Sequence, residues 1–466
     1  MARGRALSTT GGRLALFLLC LASFMAVVDD TIVTVALPSM RRELGFSGAD
    51  AQWIFNGYML AFGGLLLLSG RAADLWGRRQ MFVAGLAVFG LSSLLGGLSP
   101  SAWGLIFARV LQGLGAAAFV PASLSLLTAT FSAGEERNRA IGVYGAMAAL
   151  GFVVGMVGGG VITEFLGWRW VLFVNVPVAL AALLATPAAV TESRDEEAPR
   201  ALDLPAAVTA TLGLTSLIYA VSEIPDSGWV SPATLGFGGL GALLLGLFVL
   251  AERRSPAPLE VFRERLLVGP NAGIFLQSMV GLPWLYVLTL YLQDALGHTP
   301  LQAGVVFLPM TLAGVVAAPL AGRIVTRLGA RATAASGLAL SAVGLLLTAS
   351  MSSGGGFPLV LSGMVVGEAG FMFCNTALTI AGSGGAGEDR KGLSAGLLNT
   401  SIQLGNAWGL GIVATVVAAT TIGGEAASPE ALVGGLRWGV LACLGFAALA
   451  LPVVLLGLSG RKEHDA

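Results

Sequence analysis

Long apolar runs recur along almost the whole chain, and they limit the possible folds more than any other feature. A helix needs about 20 mostly apolar residues to cross the hydrocarbon core of a bilayer. Fourteen runs of this kind can be identified, at positions 14–37, 52–73, 80–98, 103–131, 140–163, 168–189, 204–223, 231–251, 267–293, 301–324, 332–351, 357–381, 392–418 and 432–457. We therefore predict an all-α membrane protein with about 14 transmembrane helices.

The composition excludes several classes of protein. Only 11% of the 466 residues are charged and 55% are hydrophobic, whereas a soluble domain has roughly a quarter of its residues charged. The formal net charge of zero leaves no basic surface for nucleic acid. Cys20, Cys374 and Cys443 lie in apolar runs, which argues against a disulfide framework. Because His298 and His464 lie outside these runs, we expect no metal site.

Basic residues concentrate on one side of the predicted membrane. With the N-terminus in the cytoplasm, five of the 26 Lys and Arg residues fall outside the cytoplasmic segments. These are Arg41, Arg42, Arg169 and Arg437 in outer segments, and Arg109 within a run. The distribution follows the positive-inside rule, so we predict that both termini are cytoplasmic.

Two predicted cytoplasmic loops share a pattern. In Gly70–Arg79 and Gly322–Arg331, two Gly and two Arg coincide at a shift of 252 residues. Glu135–Arg137 and Glu388–Arg390 both read acidic, acidic, Arg, at a shift of 253 residues. Short Gly/Arg loops also arise by chance, but a nearly common shift indicates parallel duplicated halves.

The positions of these loops predict the division of the chain. The first loop follows the second run and its counterpart follows the tenth, so two extra helices must lie between two six-helix halves. We predict a six-helix bundle over 1–189, linkers with two inserted helices over 190–266, and a second six-helix bundle over 267–466.

Several short motifs extend over nearly the whole chain. They are Asp29–Pro38, Gly70–Arg79, Arg109–Gly113, Trp168–Trp170 followed by Asn175–Pro177, and Gly392–Gly405. Together they resemble the major facilitator superfamily, in particular its fourteen-span drug/proton antiporter branch. One departure is Thr34, which stands where the first motif usually has Asn. The resemblance implies two bundles that expose a central site alternately to each side of the membrane.

The resemblance also implies a conformational switch at the first loop. Its residues are Gly70, Asp74, Gly77, Arg78 and Arg79, at the cytoplasmic end of the second run. In the family this signature latches the two halves in one conformation. A tight glycine turn with positive-inside charges is the simpler explanation, and the two are compatible.

The fifth run carries a stripe of small residues. Gly151, Gly155, Gly159 and Gly160 resemble the antiporter motif of the family's fifth helix. That motif normally has proline immediately after the second glycine, where this chain has Met156. Proton-coupled uptake by a symporter of the same fold therefore stays open beside export.

Four ionisable residues lie inside runs, where burial of charge is costly and function is the default explanation. At about 1.5 Å of rise per residue, Asp29 and Arg109 lie at similar depths below the outer membrane surface. We expect Asp29 to bind the coupling proton and Arg109 to respond to its charge; a static buried ion pair is the alternative. Asp30 is turned by about 100° on the same helix, and family position favours Asp29. Glu368 lies in the middle of a run. Three roles are open for it: to bind a cationic substrate, to bind a second proton, or to stay protonated and form a hydrogen bond to a neighbouring helix.

Polar residues within the runs are candidates for the wall of a substrate cavity. They are Tyr58, Asn56, Asn375, Gln112, Asn399 and Gln403. Pockets for drug-like molecules are mostly apolar with few polar groups. This interior suits a lipophilic or cationic cargo.

We therefore expect proton-coupled export of lipophilic or cationic drug-like compounds across a bacterial cytoplasmic membrane. No GxxxxGK[ST] motif indicates ATP drive, no catalytic constellation indicates an enzyme, and protons replace any cofactor. The 24 Arg and 2 Lys residues favour a bacterial source. The expected partners are substrate, protons and membrane lipid, and we expect a monomer. A dedicated natural-product or lipid exporter, an uptake symporter and a non-transporting membrane sensor remain alternatives.

Overall fold

Helices make up nearly all of the computed structural model, and no strand occurs among the residues that it describes. These residues are 9–46, 50–131, 135–192, 204–228, 230–254, 265–354, 357–384, 391–421 and 428–458. The apolar runs leave backbone groups without water as a partner, and a helix satisfies these groups within one segment. The predicted all-α class is confirmed over the described residues.

The helices of the N-terminal half are α1 (Thr10–Leu44), α2 (Trp53–Trp76), α3 (Arg78–Gly97), α4 (Ala102–Thr130), α5 (Glu135–Phe165), α6 (Arg169–Phe173) and α7 (Asn175–Ala189). Next come α8 (Leu204–Ser222), α9 (Ile224–Ser227) and α10 (Pro232–Arg254). The remaining helices are α11 (Arg265–Leu290), which continues as a π-helical turn (Tyr291–Ala295), α12 (Pro300–Leu328), α13 (Ala330–Thr348), α14 (Phe357–Gly384), α15 (Lys391–Thr420) and α16 (Pro429–Gly457).

Eleven helices within the described residues are long and apolar enough to cross a membrane. Two shorter apolar helices, Val208–Val221 and Pro232–Phe248, lie where the sequence predicts the inserted pair. The count of fourteen spans and the cytoplasmic placement of both termini stay predictions.

The chain divides into two compact units. The N-terminal unit comprises Met1–Phe46 and Trp53–Leu212, and the C-terminal unit comprises Ser47–Gln52 and Gly213–Ala466. In the first, α1 packs on α5, α4 and α7, and α4 also packs on α2 and α3. In the second, α14 packs on α13, α12 and α11, and α11 packs on α15 and α16. The three-part division at 189 and 266 stays a prediction.

Two helix junctions have the same construction. Gly77 alone separates α2 from α3, and Gly329 alone separates α12 from α13. Both glycines have positive φ angles, 113° and 83°, which residues with a Cβ rarely adopt. These are the two loops that the sequence repeat pairs with each other. The second pair of the repeat reaches Glu388–Arg390, which lies outside the described residues.

Candidate functional site

A buried ion pair joins two helices of the N-terminal unit. Asp29 lies on α1 and Arg109 on α4, and Arg109 Nη1 is 2.5 Å from Asp29 Oδ2. Both side chains are fully buried. The two residues that the sequence places at similar depth are therefore in direct contact.

Three further side chains complete this group, which we call the Asp29 cluster: Asp29, Ser93, Arg109, Gln112 and Asn175. Asp29 Oδ1 accepts hydrogen bonds from Gln112 Nε2 at 3.0 Å and from Asn175 Nδ2 at 2.7 Å. Gln112 Oε1 accepts from Arg109 Nη1 at 2.9 Å, and Gln112 Nε2 also donates to Ser93 Oγ at 2.7 Å. The cluster thus connects α1, α3, α4 and α7.

Arg109 has two more contacts, both on α2. Its Nε donates to the backbone oxygen of Ile54 at 3.1 Å, and its guanidinium carbon lies 4.5 Å from the centre of the Tyr58 ring. Its Nη2 has no hydrogen-bond partner among the residues that the structure describes. The guanidinium is held on one side by Asp29 and Gln112, on another by α2, and one nitrogen stays available for a further acceptor.

The sequence of α4 explains why these groups meet. Arg109 and Gln112 are three residues apart and therefore share a helix face. The next residue is Gly113, where a Cβ would overlap the backbone oxygen of Tyr58. The absence of a side chain at Gly113 lets α2 approach closely enough to place Tyr58 and Ile54 against Arg109.

The glycine stripe of α5 packs on the helix that carries Asp29. A Cβ at Gly151 would lie 2.9 Å from the backbone oxygen of Phe24, and one at Gly159 would lie 2.9 Å from Ile32 Cγ1. A Cβ at Gly155 would overlap Thr31 Oγ1. Small residues of this kind let membrane helices pack closely. The neighbouring Met156, which replaces the family's proline, and Gly160 are both buried.

The chemistry of the Asp29 cluster is that of an ionised carboxylate. Each partner of Asp29 is a donor: one guanidinium and two amide NH₂ groups. A protonated carboxyl group would instead bring a donor of its own into this set. Addition of a proton to Asp29 would therefore break the pattern of contacts and leave Arg109 without its counter-charge.

Asp30 lies outside this cluster. It is partly buried, and its Oδ1 has no hydrogen-bond partner within the described ranges. The two adjacent aspartates thus have different surroundings, as their separation of about 100° around the helix requires.

The predicted switch loop is tied to the end of α7. Glu192 accepts a hydrogen bond from the backbone N–H of Arg79 at 2.9 Å and lies 3.7 Å from Arg79 Nε. Arg79 Nη1 also donates to the backbone oxygen of Val190 at 3.4 Å. A Cβ at Gly77 would lie 2.8 Å from the Glu192 carboxylate, so only glycine leaves room for this carboxylate. The first turn of α3 is thereby joined to the segment that follows α7.

The structure describes fewer contacts for the other predicted switch residues, Gly70, Asp74 and Arg78. Gly70 and Asp74 lie in the last two turns of α2, and the Asp74 side chain is outside the described part of the structure. Arg78 begins α3 and is partly buried. The latching of two halves by this loop stays a prediction.

The polar residues expected in a cavity wall have different environments. Tyr58 and Gln112 belong to the surroundings of Arg109, as described above. Asn56 on α2 is fully buried. Asn375 on α14 and Asn399 on α15 are partly buried, and Gln403 on α15 is buried. Their role in substrate binding stays a prediction.

Glu368 is buried in the C-terminal unit. It lies on α14, is 7% exposed, and its Oε1 would be 2.8 Å from a Cβ at Gly314 of α12.

Sequence reasoning did not assign three of these contacts. From the sequence, Asn175 belongs to a motif without an identified partner, Ser93 has no assigned role, and Glu192 falls in the predicted linker region 190–266. Asn175 and Ser93 carry the one available signal, a polar side chain inside an apolar run. Two of the partners are far away in the sequence, since Asn175 lies 146 residues from Asp29 and Glu192 lies 113 residues from Arg79. Ser93 lies only 19 residues from Gln112, but on a different helix.

Known proteins resemble this chain over most of its length. The profile of the Major Facilitator Superfamily matches residues 19–410. The cephamycin export protein CmcT of Amycolatopsis lactamdurans is 40% identical over 436 residues, which cover 91% of this chain and 88% of the relative. The puromycin resistance protein pur8 of Streptomyces alboniger is 38% identical over 459 residues, which cover 93% and 88%.

A solved structure has the same fold. The inward-facing, unoccupied bacterial homolog of the human lysosomal transporter Spinster superimposes with a TM-score of 0.70 at 16% identity, and the match covers 97% of each chain. At this identity the likeness concerns the fold alone.

Proposed function

This chain belongs to the Major Facilitator Superfamily, and from that premise we propose that it exports lipophilic or cationic drug-like compounds in exchange for protons. It is a multi-pass transporter of the bacterial cytoplasmic membrane and not an enzyme. The substrate class, the proton and the direction of transport are our proposal.

The buried contact between Asp29 and Arg109 carries the proposal of proton coupling. Its two charges are fully withdrawn from solvent, so each depends on the other. Removing one partner of a buried ion pair leaves an uncompensated charge, which costs about 3–5 kcal/mol. A proton that binds to Asp29 neutralises one partner and creates this imbalance without any mutation.

Such an imbalance is sufficient to bias a conformational equilibrium. A ligand shifts the equilibrium between two conformations by the difference in its binding free energy to them. A difference of about 5.5 kcal/mol moves the population ratio of the two conformations from 1:99 to 99:1. After protonation of Asp29, Arg109 keeps its bond to Ile54, its contact with Tyr58 and its bond to Gln112. Its unpaired Nη2 favours any conformation that supplies a new acceptor.

Alternating access then links the proton to the substrate. In the proposal, external protons stabilise the state in which Asp29 is neutral, and cytoplasmic substrate stabilises the opposite state. The junction of Gly77 and Arg79 with Glu192 is the part of the N-terminal unit that we assign to the switch.

Export is favoured over uptake by the names of the relatives. One is a cephamycin export protein and the other a puromycin resistance protein. These two names also favour a second candidate function, the dedicated export of a single antibiotic natural product. The two functions differ only in substrate range.

Everted membrane vesicles test the proposal. Respiration acidifies the vesicle lumen and quenches a pH-sensitive dye, and addition of puromycin, cephamycin or a lipophilic cationic drug then releases protons through an antiporter. We expect substrate-dependent dequenching with the wild type and none with Asp29→Asn. The neighbouring Asp30→Asn is the matched control and should retain the response.

The outcomes separate the candidate functions. A response to one antibiotic alone indicates the dedicated exporter, whereas a response to several compounds indicates a drug exporter. If Asp29→Asn responds as the wild type does, the assignment of the proton to Asp29 is wrong. If no compound releases protons from wild-type vesicles, proton-coupled export of these compounds is wrong.

A further inference from the structure

Glu368 is a buried carboxylate that lies between α14 and α12. Within the described part of the chain, it makes no hydrogen bond and no ion pair, although it is only 7% exposed. On α12, Thr311 precedes Gly314 by three residues, and its Oγ1 donates to the backbone oxygen of Leu308 at 2.9 Å. Among the described residues, no neighbouring helix therefore supplies the hydrogen bond that a purely structural role would require.

Glycine makes room for this carboxylate between α14 and α12. A Cβ at Gly314 would lie 2.8 Å from Glu368 Oε1 and 3.3 Å from its Cγ. The same Cβ would lie 3.4 Å from Cγ of Met372, which is one turn further along α14. The carboxylate thus lies against bare backbone on one side and beside a polarisable, apolar side chain.

Two more unsatisfied polar atoms lie on α11, which packs on the same turns of α14. Trp284 is 1% exposed, and its Nε1 has no hydrogen-bond partner in the described part of the chain. A Cβ at Gly367, next to Glu368, would lie 2.5 Å from the Trp284 ring. Gln277 donates from Nε2 to the backbone oxygen of Phe371 at 3.2 Å, while its Oε1 has no partner among these described residues. Trp284 thus lies beside Gly367 and Gln277 beside Phe371, and these two positions flank Glu368 on α14.

We propose that Glu368, Gln277 and Trp284 form the site that binds the positive charge of an organic cation. The carboxylate supplies the counter-charge, the carbonyl oxygen of Gln277 supplies a second negative dipole, and the indole ring supplies an aromatic surface that attracts cations. A cation removes the cost of an isolated buried carboxylate, and the apolar surroundings accept its lipophilic body. This inference rests on the proposed export function, because it specifies the substrate of the same transporter.

Equilibrium binding to purified protein in nanodiscs tests this site without any transport. The probes are tetraphenylphosphonium, a permanent cation, and triphenylphosphine oxide, a neutral molecule with similar aromatic groups. We expect Glu368→Gln to weaken tetraphenylphosphonium binding by about tenfold or more, and to leave the affinity for triphenylphosphine oxide unchanged. A permanent cation cannot exchange a proton with the protein, so the readout concerns charge recognition alone.

A second pair of variants keeps the inference testable if Glu368→Gln does not fold. Gly314→Ala places a methyl group against the carboxylate and should weaken cation binding several-fold. Gly322→Ala, on the same helix with no atom within 4 Å of its Cβ, should have no effect. Equal cation affinity in wild type and Glu368→Gln, equal loss of both probes, or no binding of the cation to wild type would each overturn the inference.

The failure of this inference differs from the failure of the proposed function. If the protein exports compounds in exchange for protons but its cation affinity does not depend on Glu368, only the cation site is rejected. If cation binding depends on Glu368 but the protein exports no compound in exchange for protons, only the proposed function is rejected.

Discussion

The buried pair of Asp29 and Arg109 predicts an asymmetric pattern of stability changes. Asp29→Asn keeps the shape of the side chain but leaves the guanidinium, which cannot lose its proton in a protein, without a counter-charge. Because both groups are fully buried, we expect a loss of about 3–5 kcal/mol in the free energy of unfolding. Arg109→Gln leaves a carboxylate that keeps two amide donors, Gln112 and Asn175, and that can accept a proton. Its cost should be smaller, about 1–3 kcal/mol.

The double variant decides whether the charges are coupled. Asp29→Asn combined with Arg109→Gln removes both charges, and replacement of a whole buried pair is often close to neutral. We therefore expect the double variant to be more stable than Asp29→Asn alone by about 2 kcal/mol. The free energies come from reversible unfolding in mixed micelles of dodecyl maltoside and sodium dodecyl sulfate, followed by tryptophan fluorescence.

Two results would refute this reasoning. If the losses of the single variants add up in the double variant, the two charges are not coupled in the folded protein. If Asp29→Asn is no less stable than wild type, the guanidinium has another counter-charge, and protonation of Asp29 cannot supply the imbalance on which the transport mechanism depends.

Three further predictions concern the surroundings of the cluster. Gly155→Ala should destabilise the protein by about 1–3 kcal/mol, because its Cβ would overlap Thr31 Oγ1. The control Gly158→Ala should change the unfolding free energy little, because its Cβ would meet no atom closer than 3.9 Å. Equal losses in the two variants would contradict the packing of α5 on α1. Tyr58→Leu should lower the unfolding free energy by up to about 2 kcal/mol, because it removes the cation–π attraction to Arg109. Tyr58→Phe keeps the aromatic ring and should lower it much less. Equal losses would mean that the ring face contributes nothing. Glu192→Ala should slow drug-dependent proton release in vesicles. Glu192→Gln keeps an acceptor for the N–H of Arg79 and should slow this release less. A normal rate with Glu192→Ala would show that this residue is not part of the switch.

The sequence was sufficient to predict the helices because hydropathy reports a local property. All fourteen apolar runs are helical in the structure. The helix ends are less predictable. Hydropathy predicts the first run over 14–37, whereas α1 extends from Thr10 to Leu44, because a helix continues through polar residues that a bilayer-based criterion omits. The run 168–189 is divided by a turn at Val174 into α6 and α7, which hydropathy does not detect.

The site was predictable in its charged residues and not in their partners. An aspartate and an arginine stand out in apolar runs because burial of charge is costly. Asn175 and Gln112 are neutral amides, which are common in membrane helices as links between neighbours. Only the packing of α7 against α1 shows that Asn175 donates to Asp29. Likewise, composition identifies Glu368 as unusual, but its lack of a partner is a property of the packed C-terminal unit.

The most direct test of proton coupling through Asp29 is the release of protons when substrate binds. Purified protein in weakly buffered detergent solution is mixed with an exported compound, and a pH indicator records the protons released per transporter. The wild type should release protons in a saturable manner, and Asp29→Asn should bind the compound without release. Undiminished proton release from Asp29→Asn would contradict the central claim that this carboxyl group carries the coupling proton.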